Sequence, residues 1–147
     1  MAIAQSKIAG AGRRTIGGLI DLILLGIVYG VLVFYLGTTK VEGASLEVSL
    51  DGMPGLIFFA ITLAYYIILE ATTGRTLGKL AMGLRVVNNN QESITWGQSL
   101  IRNLLRIIDG LIPIYLIGFI VMVASPNKQR VGDHAAKTYV IKVETQK

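Results

Sequence analysis

The chain has 147 residues, a length that allows one domain. Charged residues make up 16% of it, against about 25% in an average soluble domain, which argues against a soluble enzyme, a disordered tail and a coiled coil. Cysteine is absent, which excludes disulfides and thiolate sites. The net charge is +5, and the basic residues that produce it lie at the edges of apolar segments. This placement is typical of membrane proteins and not of nucleic-acid-binding ones.

Two apolar segments predict helices that cross a membrane. The first, at 14–37, follows a basic start, and beyond Arg14 its only charged residue is Asp21. An α-helix rises 1.5 Å per residue, so the 22 residues from 15 to 36 reach about 33 Å, enough for the hydrocarbon core. Its length, its carboxylate and the lack of a cleavage site argue against a signal peptide. The second helix, at 54–72, places Glu70 near its water interface, and the segment 37–53 between the two helices predicts a polar loop.

The polar region after the second helix contains glycines and a predicted strand at 84–87, and a second strand is predicted at 138–143 because of its β-branched and aromatic residues. The stretch 74–79, Gly-Arg-Thr-Leu-Gly-Lys, superficially resembles a phosphate-binding loop. Its glycine spacing is one residue short and Leu80 replaces the required Ser or Thr, so we reject nucleotide binding.

The segment 98–124 allows two interpretations. An amphipathic helix at 97–112 and an apolar helix at 113–125 meet at Pro113, which breaks or kinks a helix. The segment crosses the membrane once, or it forms a helix–break–helix hairpin. We favour the hairpin, because it returns the basic C-terminal tail to the side of the basic N-terminus and lets the two strands pair.

The sequence therefore predicts a single-domain, α-helical integral membrane protein with both termini in the cytoplasm. It has two transmembrane helices and a Pro-broken helical hairpin, three to four membrane segments in all, and a small cytoplasmic β element. Its partner is the lipid bilayer, and no nucleic acid is expected.

Asp21 is the sharpest candidate for function, because a carboxylate inside a membrane is costly unless it is paired, hydrated or protonated. The amphipathic helix carries three charged residues on one face: Arg102, Arg106 and Asp109. We expect Asp21 to meet Arg102 or Arg106, either as a fixed structural ion pair or, together with Asp109, as a path for protons or small cations. Alternatively, the amphipathic helix lies flat on the inner leaflet with its arginines on lipid phosphates.

Enzymatic chemistry finds little support in the sequence. His134 is the only histidine, and no second histidine or cysteine is present to complete a metal centre. No Ser/His/Asp pattern has a distinctive spacing. We therefore expect no enzyme activity, no metal and no cofactor.

Four stretches resemble the RDD family of membrane proteins: Arg14-Thr-Ile-Gly-Gly-Leu-Ile-Asp21, Thr76-Leu-Gly-Lys-Leu-Ala-Met-Gly-Leu-Arg-Val-Val87, Arg102-Asn-Leu-Leu-Arg106-Ile-Ile-Asp109 and Ser125-Pro-Asn-Lys-Gln-Arg-Val-Gly-Asp133. The family is named for one arginine and two aspartates. The resemblance implies that Arg14 is the family arginine and Asp21 the first aspartate, with Asp109 or Asp133 as the second.

The resemblance also implies a function in transport, since some relatives are credited with exchanging monovalent cations for protons across the bacterial inner membrane. The chain is small for a transporter and has no inverted repeat, so a homo-oligomer would have to supply the symmetry. Two alternatives are a non-transporting accessory protein with a structural charge cluster and a lipid-interacting protein.

Overall fold

The computed structural model describes residues 8–42, 45–111, 125 and 129–143. In chain order, its helices and strands are α1 Ala11–Leu36, β1 Thr38–Glu42, β2 Ser45–Ser49, α2 Met53–Thr73, α3 Leu77–Ala81, β3 Leu84–Asn88, α4 Trp96–Leu111, α5 Val131–Ala135 and β4 Thr138–Lys142. The predicted apolar helix at 113–125 lies outside the described residues except for Ser125, as does the break at Pro113.

Helices α1 and α2 are both long and apolar enough to cross a membrane, and they correspond to the predicted segments 14–37 and 54–72. Most of their apolar side chains are exposed. The buried positions of α1 recur every three or four residues and so form one stripe: Arg14, Gly17, Asp21 and Leu25. The helix therefore turns its polar stripe toward the protein and its apolar surface outward, as a helix in lipid does.

Helix α2 begins with Pro54 in its first turn, where the missing N–H costs nothing, and it ends at Gly74 in the left-handed conformation. The Gly74 carbonyl accepts a hydrogen bond from the Val86 amide at 2.8 Å. A Cβ on Gly74 would lie 3.2 Å from both Cγ and Nε of Arg85. Glycine therefore lets the end of the helix lie directly against β3.

Strands β1 and β2 form an antiparallel hairpin that connects the first two helices. The sequence predicted only a polar loop there. The hairpin has β-branched residues in both strands, including Thr38, Thr39 and Val48. Its exposed ion pair, Lys40 Nζ to Asp51 Oδ2, measures 3.6 Å.

Strands β3 and β4, which correspond to the predicted strands 84–87 and 138–143, pair antiparallel in the register Leu84↔Lys142. The Ala9 amide adds a hydrogen bond to the Val140 carbonyl at 2.9 Å. A small apolar core forms beside the sheet from Ala9, Leu84, Val86, Ile94 and Val140. We call α3, β3, α5 and β4 the cap.

Helix α4 packs with its polar face inward. Ser99, Arg102 and Asn103 are buried, whereas its apolar side chains Leu100 and Leu104 are each 45% exposed. The Ser99 hydroxyl donates to the Ile67 carbonyl of α2 at 2.9 Å. Polar side chains of membrane helices face the protein interior, and this pattern matches that arrangement.

Candidate functional site

Charged side chains from all five described helices meet at one end of α1 and α2. We call this group the charge network, and its members are Arg14 of α1, Glu70 of α2, Lys79 of α3, Arg102 of α4 and Asp133 of α5. Because α1 and α2 run in opposite directions, the start of one and the end of the other supply charges at the same level. The network thus connects the cap, α4 and both apolar helices.

Asp133 accepts from two arginines at once. Its Oδ2 pairs with Nη2 of Arg14, and its Oδ1 lies 2.6 Å from Nη1 of Arg102. The Arg130 amide also donates to Oδ2 at 3.1 Å. Burial alone would raise the pKa of Asp133, but Arg102 and Arg14 outweigh burial and hold that pKa well below its usual 3.8. The carboxylate is therefore ionised and saturated with donors.

Glu70 is the second buried acid of the network. Its Oε1 pairs with Nζ of Lys79, and its Oε2 accepts from Nε of Arg102 at 3.2 Å and from Nδ2 of Asn103 at 3.3 Å. Arg102 thus bridges Glu70 and Asp133, and its Nη1 also donates to Thr138 Oγ1 at 2.6 Å. The sequence placed Glu70 near the water interface at the end of the second helix; the structure places it in the last turn of α2, with only 1% of the residue exposed.

Lys79 has a shifted protonation equilibrium. Burial lowers its pKa to about 8, Arg102 and Arg106 act in the same direction, and Glu70 opposes them. Arg106 itself lies over the Tyr66 ring, with its Cζ 3.9 Å from the ring centroid. Such a contact stabilises a cation without an acidic partner.

Asp21 lies apart from the charge network, about two helical turns beyond Arg14 on the same buried stripe of α1. Its Oδ1 accepts from Tyr65 Oη at 2.6 Å and from the Gly78 amide at 2.8 Å, and its Oδ2 accepts from Thr76 Oγ1 at 2.6 Å. It is completely buried. The expected ion pair with Arg102 or Arg106 was wrong, because α2 and the polypeptide around α3 supply neutral donors in its place.

Two glycines permit this arrangement. A Cβ on Gly78 would overlap the Gly17 carbonyl oxygen and come within 2.9 Å of Asp21 Oδ1. A Cβ on Gly17 would lie 3.1 Å from the Gly78 carbonyl oxygen. The backbones of α1 and α3 are therefore in direct contact, which brings an amide N–H to the buried carboxylate.

The structure separates the residues that the sequence grouped together. Arg14 and Arg102 lie in the charge network with Asp133, Asp21 has its own donors, and Arg106 lies on Tyr66. The backbone of Asp109 continues α4, but its side chain lies outside the described part of the chain. The interpretation of α4 as a helix with both arginines on lipid phosphates fails for Arg102, which is 8% exposed and bound to two acids.

The sequence missed Glu70 and Lys79 as members of the site. One signal for Glu70 was available, since it is an acid within a predicted apolar helix, as Asp21 is. Lys79 carried no comparable signal, because only the fold of α3 directs it toward α2.

Comparison with known proteins identifies the family. Residues 8–137 match the model of the RDD family. The chain is 31% identical to the uncharacterized protein YxaI of Bacillus subtilis (strain 168), over 93% of this chain and 99% of YxaI. It is 36% identical to the uncharacterized membrane protein YteJ of the same organism, over 55% of this chain and 48% of YteJ. No solved structure matches the chain significantly. Because the family model matches most of the chain and the structure contains two apolar helices long enough to cross a membrane, the chain belongs to the RDD family of membrane proteins.

Proposed function

We propose that this protein is a non-transporting accessory protein of the cytoplasmic membrane, in which buried charges are structural. The observation that carries the proposal is the environment of Asp21: the carboxylate is fully buried and accepts from three donors of the protein itself. A carboxylate that carries an ion must exchange its ligands, whereas these donors are supplied by packed backbone and side chains of α2 and the region around α3.

The two acids of the charge network support the same proposal. Glu70 and Asp133 each accept from at least two donors, and every one of their carboxylate oxygens has a partner. Buried ion pairs of this kind contribute specificity of structure more readily than net stability. In the proposed role they fix the position of the cap relative to α1 and α2.

The cap is proposed to face the cytoplasm and to bind a partner there. The basic residues near the N-terminal end of α1, Lys7 and Arg13 among them, place that end inside by the positive-inside tendency. Ala9, two residues before the start of α1, is hydrogen-bonded to β4 of the cap. Cap and N-terminus would therefore lie on the same side of the membrane.

A second candidate function is the exchange of protons for monovalent cations. It is favoured by Lys79, whose contact with Glu70 and pKa of about 8 give a buried pair that can release a proton near physiological pH. This candidate assigns the exchange to Lys79 and Glu70 and leaves Asp21 in a structural role. In this candidate a homo-oligomer supplies the enclosed path, because the two apolar helices among the described residues do not enclose one by themselves.

Proton movement in proteoliposomes distinguishes the two functions. Vesicles that contain a pH-sensitive dye receive a gradient of Na⁺, K⁺ or Li⁺, and a characterised sodium–proton exchanger serves as the positive control. We expect no proton movement from the native protein above that of empty vesicles. Movement that is present in the native protein and lost in folded Lys79→Gln would overturn the accessory function and establish the second candidate.

A further inference from the structure

A cavity of about 340 Å³ lies beside the end of α2, and none of the five residues of the charge network lines it. Ligand sites in proteins have volumes from about 300 to 1,000 Å³, so the cavity is large enough for a small headgroup. Its lining combines apolar and basic side chains: Leu69, Arg75, Leu77, Leu80 and Arg85, with Thr73 and Thr76 between them.

The two arginines of this cavity differ from those of the charge network. Within the described ranges of the chain, neither Arg75 nor Arg85 forms an ion pair. Arg85 donates from Nη2 to the neutral Ser93 hydroxyl at 2.8 Å, and its Nε is buried without a hydrogen-bond partner in the described part. A buried donor without an acceptor is costly, so an anion in the cavity would satisfy a need that the protein leaves open.

The position of the cavity indicates the kind of anion. Leu77 and Leu80 are 48% and 54% exposed, although they follow directly on a helix that is apolar enough to cross the membrane. Exposed leucines beside two arginines at the end of such a helix are typical of the level at which lipid acyl chains meet the headgroups. Basic pockets at this level are suited to the phosphates of anionic lipids.

We propose that this cavity binds one anionic phospholipid, with its phosphate between Arg75 and Arg85 and its acyl chains along Leu77 and Leu80. The planar guanidinium is the side chain best matched to phosphate oxygens, since it donates two parallel hydrogen bonds. Gly74 contributes by its lack of a side chain, because a Cβ there would press on Nε of Arg85 at 3.2 Å. The site is independent of the proposed function and holds for either candidate.

Lipid titration of the purified protein tests the site. The full chain in a neutral detergent is titrated with phosphatidylglycerol, with phosphatidylcholine of the same acyl chains, or with inorganic phosphate. Thermal unfolding reports binding, because a ligand of the folded state raises the unfolding temperature with its concentration. Native mass spectrometry then counts the lipids that each protein retains.

Three variants are compared with the native protein: Arg75→Gln, the double variant Arg75→Gln/Arg85→Gln, and Arg13→Gln. Arg13 is an exposed arginine near the start of α1 that does not line the cavity, so it controls for the loss of one basic charge. We expect phosphatidylglycerol to bind the native protein and Arg13→Gln equally. Arg75→Gln should bind it at least about tenfold more weakly, the factor expected when a charge-assisted hydrogen bond is lost.

Other outcomes overturn the proposal. Equal binding to Arg13→Gln and Arg75→Gln would mean diffuse attraction to basic charge. Phosphatidylcholine binding as tightly as phosphatidylglycerol would exclude an anion-selective site, and an equal response to inorganic phosphate would assign the site to a free ion. Arg75→Gln alone decides the matter if the double variant does not fold, because no hydrogen bond or ion pair of the Arg75 side chain exists among the described residues.

Discussion

Arg14 and Asp133 form a buried ion pair although they stand 119 positions apart in the sequence. The pair joins the first turn of an apolar helix to a short helix close to the last strand. Arg102 binds the other oxygen of the same carboxylate at 2.6 Å. One aspartate thus holds together α1, α4 and α5, which explains how a cap with a small apolar core keeps its position beside the membrane helices.

Loss of the Asp133 charge should be strongly destabilising. Asp133→Asn leaves Arg14 and Arg102 buried without their common acid, and breaking a buried pair in this way costs about 3–5 kcal/mol. Denaturant unfolding in detergent micelles measures the change. The matched control is Lys40→Gln, which breaks the exposed Lys40–Asp51 pair and should cost less than about 1 kcal/mol. Equal effects of the two substitutions would contradict the structural role of Asp133.

The same carboxylate should make the protein sensitive to acid. Asp133 has a lower pKa in the folded protein than its usual 3.8, so the unfolded chain binds its proton more readily. The stability that it contributes is fully present above pH 3.8 and is lost as the pH falls toward the folded-state pKa. Asp133→Asn should remove this part of the decline.

The control for the acid experiment is Asp51→Asn. Hydrogen bonds from Ser49 and Thr38 also lower the pKa of Asp51, but its carboxyl is exposed on the β1–β2 hairpin. Unfolding temperatures measured from pH 5 to pH 2 should therefore fall for Asp51→Asn as for the native protein. A native curve that is flat over this range would contradict the assignment of Asp133 as an ionised, paired group.

Because α1 and α3 are in direct contact, substitution by alanine should change the free energy of unfolding very differently at different glycines. Gly78→Ala should cost at least about 1–3 kcal/mol, because its Cβ would overlap the Gly17 carbonyl oxygen and displace a donor of Asp21. Gly18→Ala, in the same helix as Gly17, meets nothing within 4 Å and should be neutral or stabilising by up to about 1 kcal/mol, since alanine favours the helix. Equal unfolding free energies would show that the two backbones are not in contact.

The donors of Asp21 should each contribute to stability. Tyr65→Phe removes a hydrogen bond to the buried carboxylate and leaves the Leu77 amide without the Tyr65 oxygen. A hydrogen bond to a charged group contributes about 1.5–3 kcal/mol. Tyr35→Phe is the control, because Tyr35 is 75% exposed in α1 and its hydroxyl should contribute almost nothing. Unfolding in detergent that gives the same stability for both variants would argue against the Asp21 geometry.

The periodicity of the sequence predicted where the helices lie, but it did not predict which residues contact them. The long apolar segment around Asp21 and the charge pattern of α4 were visible in the sequence because each depends on one helix alone. The partners of Asp21 were not visible, since they depend on the path of the chain through Thr76 and Gly78. A spacing shows which residues share a face, but it does not show which neighbouring element covers that face.

Helix α4 and the β1–β2 hairpin illustrate two further limits. The amphipathic pattern of α4 was correct as a pattern, but Arg102 faces the protein because its two acidic partners are there. The polar composition of 37–53 predicts a loop and not the hairpin, although Thr38, Thr39 and Val48 have side chains that favour strands. Acids on two other helices orient Arg102, and each strand of the hairpin forms by pairing with the other.

Hydrogen exchange in the cap tests the central claim most directly, namely that the charge network holds the cap against α1 and α2. The amide protection of β3 and β4 is compared between the native protein and Asp133→Asn, with Lys40→Gln as the control. The account predicts that Asp133→Asn loses protection in the cap while α1 and α2 keep theirs, and that Lys40→Gln exchanges like the native protein. Undiminished protection of β3 and β4 in Asp133→Asn would contradict the account.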